Sequence, residues 1–530
     1  MDKKTDGILE KKLDKKTWGR FLRIIFGRTT FVVLFLLIQL AVLLGAFQWL
    51  SDNVFYIYGG FTLLSAVVVL YIINKRQNPC YQLAWIIPVL VIPVFGAMFY
   101  LFVELQIGTR MIAKRLGGLI RETEPYLKQD QETLLRLSGE SRRAAHLAAY
   151  MKNYGGYPVY DKTYAEYYPL GDDMFPRLLE ELRQAKRYIF MEYFILERGE
   201  MWAAVLDILK AKVAEGVEVR VMYDGMCSLT LLPYHYPRQL EKFGIRCKMF
   251  SPVRPALSTY QNNRDHRKIT VIDGHTAFTG GINIADEYIN RKERFGHWKD
   301  TAIMLKGEAV NSFLMMFLQM WNITERTPED YGRYRKSPDY AYPPELCMDG
   351  YVMPYGDSPL DEETVGQHVY MDILNEAHHY VHIMTPYLIL DSDMITALTF
   401  AAKRGIETII IMPHIPDKIY AYLLARSYYE ELLLAGVKIY EYTPGFVHAK
   451  VFCSDDETAV VGSINLDYRS LYLHFECAAY LYRSQAVRDV ELDFQRTLKK
   501  CQEITLEDCR RYPLMKKLAG KVLRLFAPLM

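Results

Sequence analysis

Residues 262–283 have the sequence NNRDHRKITVIDGHTAFTGGIN, and the fold and chemistry of the chain depend on the polar residues in this stretch. His266 and Lys268 are two positions apart, so in an extended chain their side chains lie on the same face. Asp273 begins an Asp-Gly pair, a strong hairpin signal, and the sequence after it leads back to Asn283. The stretch therefore predicts a β-hairpin that presents a histidine and a lysine together.

A second copy of this motif lies at residues 448–465, HAKVFCSDDETAVVGSIN. His448, Lys450, Asp455 and Asn465 have the same spacing as their counterparts in the first copy. A single histidine–lysine pair in a strand is usually a surface pair. Two copies with matched aspartate, glycine and asparagine positions are not explained by chance, so we predict that the two copies form one site.

The sequence around the two motifs is repeated as well. Pro-Leu-Gly-Asp at 169–172 and Pro-Tyr-Gly-Asp at 354–357 each precede a helix-like segment and then an apolar strand. Apolar strands that alternate with helices favour a parallel or mixed sheet covered on both faces. We therefore predict an α/β protein with two similar lobes, at residues 155–326 and 347–505.

Length and composition limit the classes of protein. A chain of 530 residues is long enough for two or three domains. Its formal net charge of +2 argues against a protein built mainly to coat nucleic acid. Its eight cysteines include no Cys-x-x-Cys pair, so neither a zinc site nor a dense disulfide framework is predicted, and a reducing compartment fits best.

The N-terminal region predicts attachment to a membrane. Residues 1–30 are basic, and the segments 31–50 and 54–73 are uncharged and long enough to cross a hydrocarbon core of ~30 Å as helices. We expect a transmembrane hairpin over residues 31–73 with both outer ends in the cytoplasm. A cleaved signal peptide is the alternative for the first segment, but a second full-length segment follows it at once.

Four further segments complete the domain prediction. Residues 83–103 are uncharged but contain two prolines and have basic flanks, which favours re-entry or interfacial burial over a third crossing. Residues 104–154 are predicted to be a connector, and residues 327–346, rich in proline, tyrosine and charge, a linker. Residues 506–530 are either a basic amphipathic helix on an anionic membrane surface or a helix docked on its own domain.

Together the two motifs supply two imidazoles, two ammonium groups and two amides. This set suits a phosphate ester, because lysine and asparagine can neutralise non-bridging oxygens while one histidine attacks phosphorus and the other protonates the leaving oxygen. Histidine suits both roles since its ordinary pKa is about 6.5. No metal or cofactor is needed for this chemistry. Small residues after each motif, such as Gly281 and Gly462, are expected to let an anion approach the backbone.

Both motifs resemble the HxKxxxxD signature of the phospholipase D superfamily, each followed here by Gly-(Gly/Ser)-x-Asn. The resemblance covers roughly residues 155–500, and the N-terminal hairpin with the NNRDHRK sequence of the first motif makes it specific to bacterial cardiolipin synthases. It implies a two-lobed fold with the site at the lobe interface, a phosphohistidine intermediate, and the joining of two phosphatidylglycerol molecules with release of glycerol. Together with the basic flanks of the hairpin, it predicts a multi-pass protein of the bacterial inner membrane whose catalytic domain lies on the cytoplasmic face.

The resemblance also implies roles for individual residues. Asp300 and Glu476 stand where members of the superfamily carry acids that orient the histidines, and which acid serves which ring is left open. The two signature aspartates, at the hairpin turns, are expected to hold geometry rather than to transfer protons. The expected catalytic residues are His266, Lys268, Asp273, His448, Lys450 and Asp455, and the expected phosphate-binding or orienting residues are Asn283, Asn465, Asp300 and Glu476.

Several alternatives remain at this point. We expect His266 to attack phosphorus and His448 to protonate the leaving glycerol, but the motifs are nearly symmetric and the roles can be exchanged. Water competes with glycerol hydroxyls at the same intermediate, so a phospholipase D type hydrolase or a transferase with another phospholipid donor or acceptor is the second hypothesis. A nuclease is disfavoured by the membrane segments, and an inactive scaffold by the two intact motifs. The sequence does not predict an oligomeric state.

Overall fold

The computed structural model describes residues 37–42, 54–104, 107–252, 262–325, 327, 329–344, 346, 348–361 and 363–529. The chain divides into an N-terminal unit that extends to Arg110 and a larger unit that contains both predicted lobes. The main helices of the N-terminal unit are α1 (Val54–Asn74), α2 (Pro79–Val91) and α3 (Pro93–Glu104).

A small apolar cluster packs the N-terminal helices together. It is formed by Val68 and Ile72 of α1, Val89 of α2, and Ala97 and Tyr100 of α3. The third apolar segment, 83–103, is divided between α2 and α3, because Pro93 begins a new helix after the break. The segment is thus divided into two helices, and its re-entry or interfacial burial stays a prediction.

Within the described residues, no helix combines the length and the hydropathy required to cross a membrane. Of the first predicted span, only residues 37–42 are described, and they are helical; 31–36 and 43–50 lie outside the described residues, as does the basic segment 1–30. The predicted transmembrane hairpin is therefore not confirmed.

The larger unit begins with three helices and continues into the first lobe. The helices of the predicted connector are α4 (Ile107–Thr123), α5 (Gln131–Glu140) and α6 (Arg142–Tyr150). The strands of the first lobe are β1 (Thr163–Tyr168), β2 (Tyr188–Tyr193), β3 (Glu218–Asp224), β4 (Arg246–Phe250), β5 (Arg264–Asp265), β6 (Lys268–Ile272), β7 (Thr276–Gly280), β8 (His297–Lys299) and β9 (Ala302–Gly307). Its helices are α7 (Gly171–Gln184), α8 (Glu200–Ala214), α9 (Cys227–Thr230), α10 (Tyr236–Glu241) and α11 (Val310–Asn322).

The second lobe repeats this arrangement. Its strands are β10 (Tyr351–Asp357), β11 (Tyr380–Met384), β12 (Glu407–Pro413), β13 (Lys438–Tyr442), β14 (Gly445–Val447), β15 (Val451–Ser454), β16 (Thr458–Gly462), β17 (His474–Tyr482) and β18 (Cys501–Ile504). Its helices are α12 (Val365–Glu376), α13 (Ser392–Lys403), α14 (Ile419–Leu434) and α15 (Gln485–Leu498), and α16 (Leu506–Arg511) and α17 (Leu514–Phe526) follow.

Each lobe has a mixed sheet, and the second sheet repeats the strand order of the first with one additional edge strand, β18. The first has the order β1-β9-β7-β6-β2-β3-β4 and the second the order β10-β17-β16-β15-β11-β12-β13-β18. The three strands β2, β3 and β4 run parallel, whereas the motif hairpin β6–β7 and its neighbours pair antiparallel. Apolar side chains of α7 and α8 cover one face of the first sheet. The prediction of two α/β lobes with mixed sheets is confirmed.

Two helices connect the lobes. Helix α11 follows the last strand of the first lobe and contacts β10 of the second, whereas α15 follows β17 and contacts β1 of the first. Asp493 of α15 accepts hydrogen bonds from the hydroxyl of Tyr167 and the ammonium of Lys299, both at 2.7 Å. Buried polar contacts therefore fix one lobe against the other.

The C-terminal helix α17 is docked and also exposes apolar residues. It packs on α14, where Gly520 lies so close to the carbonyl oxygen of Leu423 that an added Cβ would be 2.6 Å from it. The outward side carries large apolar side chains that are about half or more exposed: Leu514, Met515, Leu518, Val522, Leu525 and Phe526. The two alternatives for this tail are therefore compatible, because docking leaves the apolar face free.

Candidate active site

The two motifs meet because the strand that precedes each one pairs with the opposite lobe. Strand β5 runs parallel to the start of β17, and β14 runs parallel to β8. The backbone N–H of His266 donates to the carbonyl of Phe475 at 2.9 Å, and that of His448 donates to the carbonyl of Lys299 at 2.7 Å. Each histidine is thus attached to the lobe that does not carry its own motif.

Each histidine is paired with an acid of the other lobe. His266 Nδ1 lies 2.9 and 3.0 Å from the two carboxylate oxygens of Glu476, and His448 Nδ1 lies 2.6 Å from Asp300 Oδ2. The sequence left open which acid serves which ring, and the geometry assigns Glu476 to His266 and Asp300 to His448. An ionised carboxylate only accepts, so Nδ1–H of His266 donates to Glu476 and the lone pair is on Nε2. Nδ1 of His448 faces both Asp300 Oδ2 and the ammonium of Lys450, which lies 2.8 Å from it.

Burial keeps both imidazoles uncharged in the free protein. It lowers the pKa of His266 well below the ordinary value, against the opposing effect of Glu476. Burial, and then the charge of Lys450, lowers the pKa of His448 to about 4. Contact with the ring of His266 in turn holds the pKa of Glu476 well below its usual range despite burial. Near neutral pH the site therefore presents two neutral rings, each suited to nucleophilic attack or to accepting a proton.

The two lysines are buried cations. Lys268 donates from Nζ to the carbonyl oxygen of His266, and Lys450 to that of His448. Burial lowers the pKa of Lys268 to about 8 and that of Lys450 to about 7. A negatively charged ligand between the lobes would offset this desolvation.

The two asparagines support the loops around the site. Asn283 accepts from the backbone N–H of Ile195 at 2.9 Å and donates to the hydroxyl of Tyr288 at 2.7 Å. Asn465 donates to Ser470 Oγ at 3.0 Å, and its buried Oδ1 has no partner among the described residues. These contacts suit an orienting role.

The two signature aspartates lie away from the histidine rings, at the far ends of the hairpins. Both have a left-handed backbone, with φ of 52° at Asp273 and 56° at Asp455. The carboxylate of Asp273 accepts the backbone N–H groups of residues 186–188 at 2.7–2.8 Å, and that of Asp455 those of residues 378–380 at 2.8–2.9 Å. Each aspartate therefore joins its hairpin to the start of the adjacent strand.

The small residues after the motifs have a different role from the one the sequence suggests. A Cβ at Gly281 would lie 2.0 Å from Asp300 Oδ1, and one at Gly462 would lie 2.3 Å from the Cβ of Ala478. At the position that matches Gly281, the hydroxyl of Ser463 donates to Glu476. Gly281 leaves room for Asp300, Gly462 leaves room for the adjacent strand, and Ser463 binds Glu476. The expectation of an anion against the backbone of these residues is therefore wrong.

A buried ionic network around the first motif was not predicted. The guanidinium of Arg267 binds Glu192 at 2.7 Å, and Asp224 accepts from the backbone N–H of Asp265 at 3.1 Å and from Arg264 at 3.4 Å. These charges fix the short strand β5 and the turn that carries His266. An Arg-Asp-His-Arg sequence alone does not indicate partners that are tens of residues away.

One group of side chains can hold a metal ion. His266, His474 and Glu476 each offer a ligand atom, and these atoms lie within 4.8 Å of one another. The buried Lys268 acts electrostatically on His266 and on Glu476, so its charge opposes the binding of a divalent cation there. The same charge favours an anion.

Loss of the hairpin aspartates should affect stability unequally. Asp273→Ala leaves three backbone donors unpaired, one of them buried, whereas the donors that face Asp455 are mostly open to water. We expect a decrease in the free energy of unfolding of about 3 kcal/mol for Asp273→Ala and about 1 kcal/mol for Asp455→Ala. Denaturant unfolding of the full chain measures both, with the exposed Asp207→Ala as control; equal losses would contradict the prediction.

Comparisons with known proteins show what the chain is similar to. The profile of a family described as "Cardiolipin synthase, PLD-like domain" matches residues 178–321 and 370–498, and one described as "Phospholipase_D-nuclease N-terminal" matches residues 63–104. An uncharacterized protein of Streptococcus mutans is 49% identical over 87% of this chain and 99% of its own length. A cardiolipin synthase of Geobacillus sp. (strain WCH70) is 33% identical over 89% of this chain and 94% of its own length.

Among solved structures, the phosphatidylserine synthase of Haemophilus influenzae has a similar fold. The TM-score is 0.50 at 17% identity, over 69% of this chain and 93% of that one. At this identity the likeness concerns the two-lobed fold alone.

Proposed function

The chain belongs to the cardiolipin synthase family of phospholipase D-like enzymes, and on that basis we propose that it joins two phosphatidylglycerol molecules and releases glycerol. The observation that carries the proposal is the exchange of acids: each buried neutral imidazole is held through Nδ1 by a carboxylate of the other lobe. Two rings oriented in this way, with two buried ammonium groups beside them, fit a phosphodiester.

The reaction proceeds in two displacements. In the first, Nε2 of His266 attacks phosphorus, the bond from phosphorus to the glycerol oxygen breaks, and His448 gives a proton to that oxygen. The bound phosphodiester anion favours the protonated form of His448 that this step requires. In the second, neutral His448 accepts a proton from a headgroup hydroxyl of another phosphatidylglycerol, whose oxygen attacks phosphorus and frees His266.

The lysines and the acids support both displacements. Lys268 and Lys450 offset the negative charge of the phosphoryl oxygens, and Glu476 and Asp300 stabilise the positive charge that each ring acquires in turn. Asn283 and Asn465 orient the neighbouring loops. Phosphorus exchanges one alkoxide for another, so the reaction does not consume a nucleotide.

Vesicles of phosphatidylglycerol with the purified full chain test this function. We expect cardiolipin and glycerol in equal amounts, and we expect His266→Ala and His448→Ala each to lower turnover by at least about 1000-fold. Acid-free quenching should trap a phosphatidyl adduct on a peptide that contains His266. An adduct on His448 instead would exchange the two roles, and phosphatidic acid in place of cardiolipin would favour the hydrolase hypothesis.

The pH dependence should follow the buried lysines. An ammonium with a lowered pKa loses its proton as pH rises through that value, and with it the attraction for the phosphodiester. We expect kcat/KM to fall with rising pH from about 7 to 8, where the pKa values of Lys450 and Lys268 lie. Lys162→Met removes an exposed lysine and should leave the decrease of kcat/KM with pH unchanged. A value of kcat/KM that stays constant up to pH 9.5 would contradict the prediction.

We also propose that the protein works at the cytoplasmic face of a bacterial membrane. The support is the uncharged N-terminal segments, whose described helices expose large apolar side chains such as Leu63, Val67 and Leu90, and the apolar face of α17. At about 100° per residue, the six exposed apolar positions of α17 fall within a sector of about 120°. Lys517 and Lys521 lie beside that sector, in the arrangement of a helix that rests on anionic lipid.

Removal of the apolar face of α17 should weaken membrane contact. For the triple variant Leu518→Ser, Val522→Ser and Leu525→Ser, we expect turnover on phosphatidylglycerol vesicles to fall by about tenfold or more, with activity on a detergent-solubilised short-chain lipid unchanged. Leu135→Ser, on the exposed side of α5, is the matched control. An equal loss of turnover on both substrates would indicate a damaged fold and would contradict the membrane role of this helix.

A further inference from the structure

His474 is a buried histidine without a hydrogen bond. Its side chain is 9% exposed, and neither ring nitrogen has a hydrogen-bond partner among the described residues. The nearest carboxylate oxygen, Oε1 of Glu476, is 3.7 Å from Nδ1, beyond hydrogen-bond length. Apart from this longer ion-pair contact the ring nitrogens are unsatisfied within the described part of the chain, which costs stability, so a ligand that supplies a hydrogen-bond partner would bind here favourably.

The position of His474 places that ligand beside the nucleophile. The ring centroid of His474 lies 5.4 Å from that of His266, and a ligand atom of each lies within 4.8 Å of the other and of Glu476. His474 also lies two residues before Glu476 at the start of β17, so its side chain lies on the same face as that acid. It therefore belongs to the His266 half of the site.

The first lobe has a tryptophan at the equivalent position. Trp298 stands two residues before Asp300, its ring lies 5.5 Å from His448, and its buried Nε1 also has no partner among the described residues. The strand pairing is equivalent too, since Trp298 lies opposite Phe446 and His474 lies opposite Arg264. Two unpaired nitrogen groups thus flank the two catalytic rings at matched positions.

The two flanking groups differ in chemistry. An indole only donates, whereas an imidazole donates, accepts and can carry a charge. The half of the site around His266 therefore has a flanking group that can donate, accept and carry a charge, whereas the flanking group around His448 can only donate. This difference separates two histidines that the sequence motifs leave nearly equivalent.

We propose that His474 is a further catalytic residue that donates a hydrogen bond to a non-bridging oxygen of the phosphoryl group while phosphorus is bonded to His266. This inference rests on the proposed function and extends it by a contact made to the reacting group. The contact strengthens as phosphorus gains its fifth ligand and its oxygens gain charge, so it lowers the barrier more than it tightens substrate binding.

Two substitutions at this position test the proposal. His474→Phe keeps a ring and removes both nitrogens, and we expect kcat on phosphatidylglycerol vesicles to fall by about 100-fold with KM changed by less than about threefold. His474→Asn restores a donor in a smaller side chain and should recover kcat to within about tenfold of the unsubstituted protein. His382→Phe is the control, because His382 is also buried but binds Glu491 outside the site, and the kcat of this variant should not change.

The outcomes separate this inference from the proposed function. Failure of the unsubstituted protein to make cardiolipin would reject the proposed function, and the same variants would then be compared on bis(p-nitrophenyl) phosphate, which requires the same attack on phosphorus. Wild-type kcat in His474→Phe on the substrate that is turned over would overturn the role of His474. So would equal losses in His474→Phe and His474→Asn with a lowered melting temperature, because they would indicate a packing role. Turnover that requires added Zn²⁺ would make the three clustered side chains a metal site instead.

Discussion

The rest of the catalytic unit depends on one constraint, the pairing of each histidine with a carboxylate from the opposite lobe. Glu476 and Asp300 cross the interface to bind His266 and His448, so each imidazole is held through Nδ1 by an acid of the other half of the chain. Such hydrogen-bonded pairs form only if the position of one lobe relative to the other is fixed to within a fraction of an ångström. The short strands β5 and β14, paired with the foreign lobe, and the helices α11 and α15 supply that precision.

Most charged groups of the site are buried, and this burial prepares the site to bind an anion. Two lysines, two histidines and two acids lie together with little access to water, and an enclosed cation without a ligand is poorly solvated. The acids offset part of this cost, and a phosphodiester would offset more, so the site is arranged for an anion before one arrives. Preorganised charge of this kind lowers the barrier for attack on phosphorus, because it stabilises the charge that the phosphoryl oxygens gain.

The sequence predicted the two lobes, the mixed sheets and the pairing of the motifs, because a repeat with matched His, Lys, Asp and Asn positions is visible without a structure. It also predicted that Asp300 and Glu476 lie near the rings, but not their exchange between lobes, since spacing along a chain does not report which lobe a side chain faces. From the sequence we expected an anion beside Gly281, whereas its close neighbour is Asp300. A glycine indicates that some group comes close to the backbone, but it does not identify that group. His474 gave no signal, since a lone histidine in a strand is common.

The strand exchange has a further consequence for the history of the site. When residue i of one half contacts residue j of the other and j contacts i in return, the interface is that of a two-fold dimer, here contained within one chain. In a dimer of identical subunits, every substitution in the site would occur twice. In a single chain, each half can change at one position without the other. The halves differ in this way at one matched position, where Trp298 lies beside His448 and His474 lies beside His266. A fused pair can therefore assign one task permanently to each histidine, whereas in a symmetric dimer either histidine can take either task.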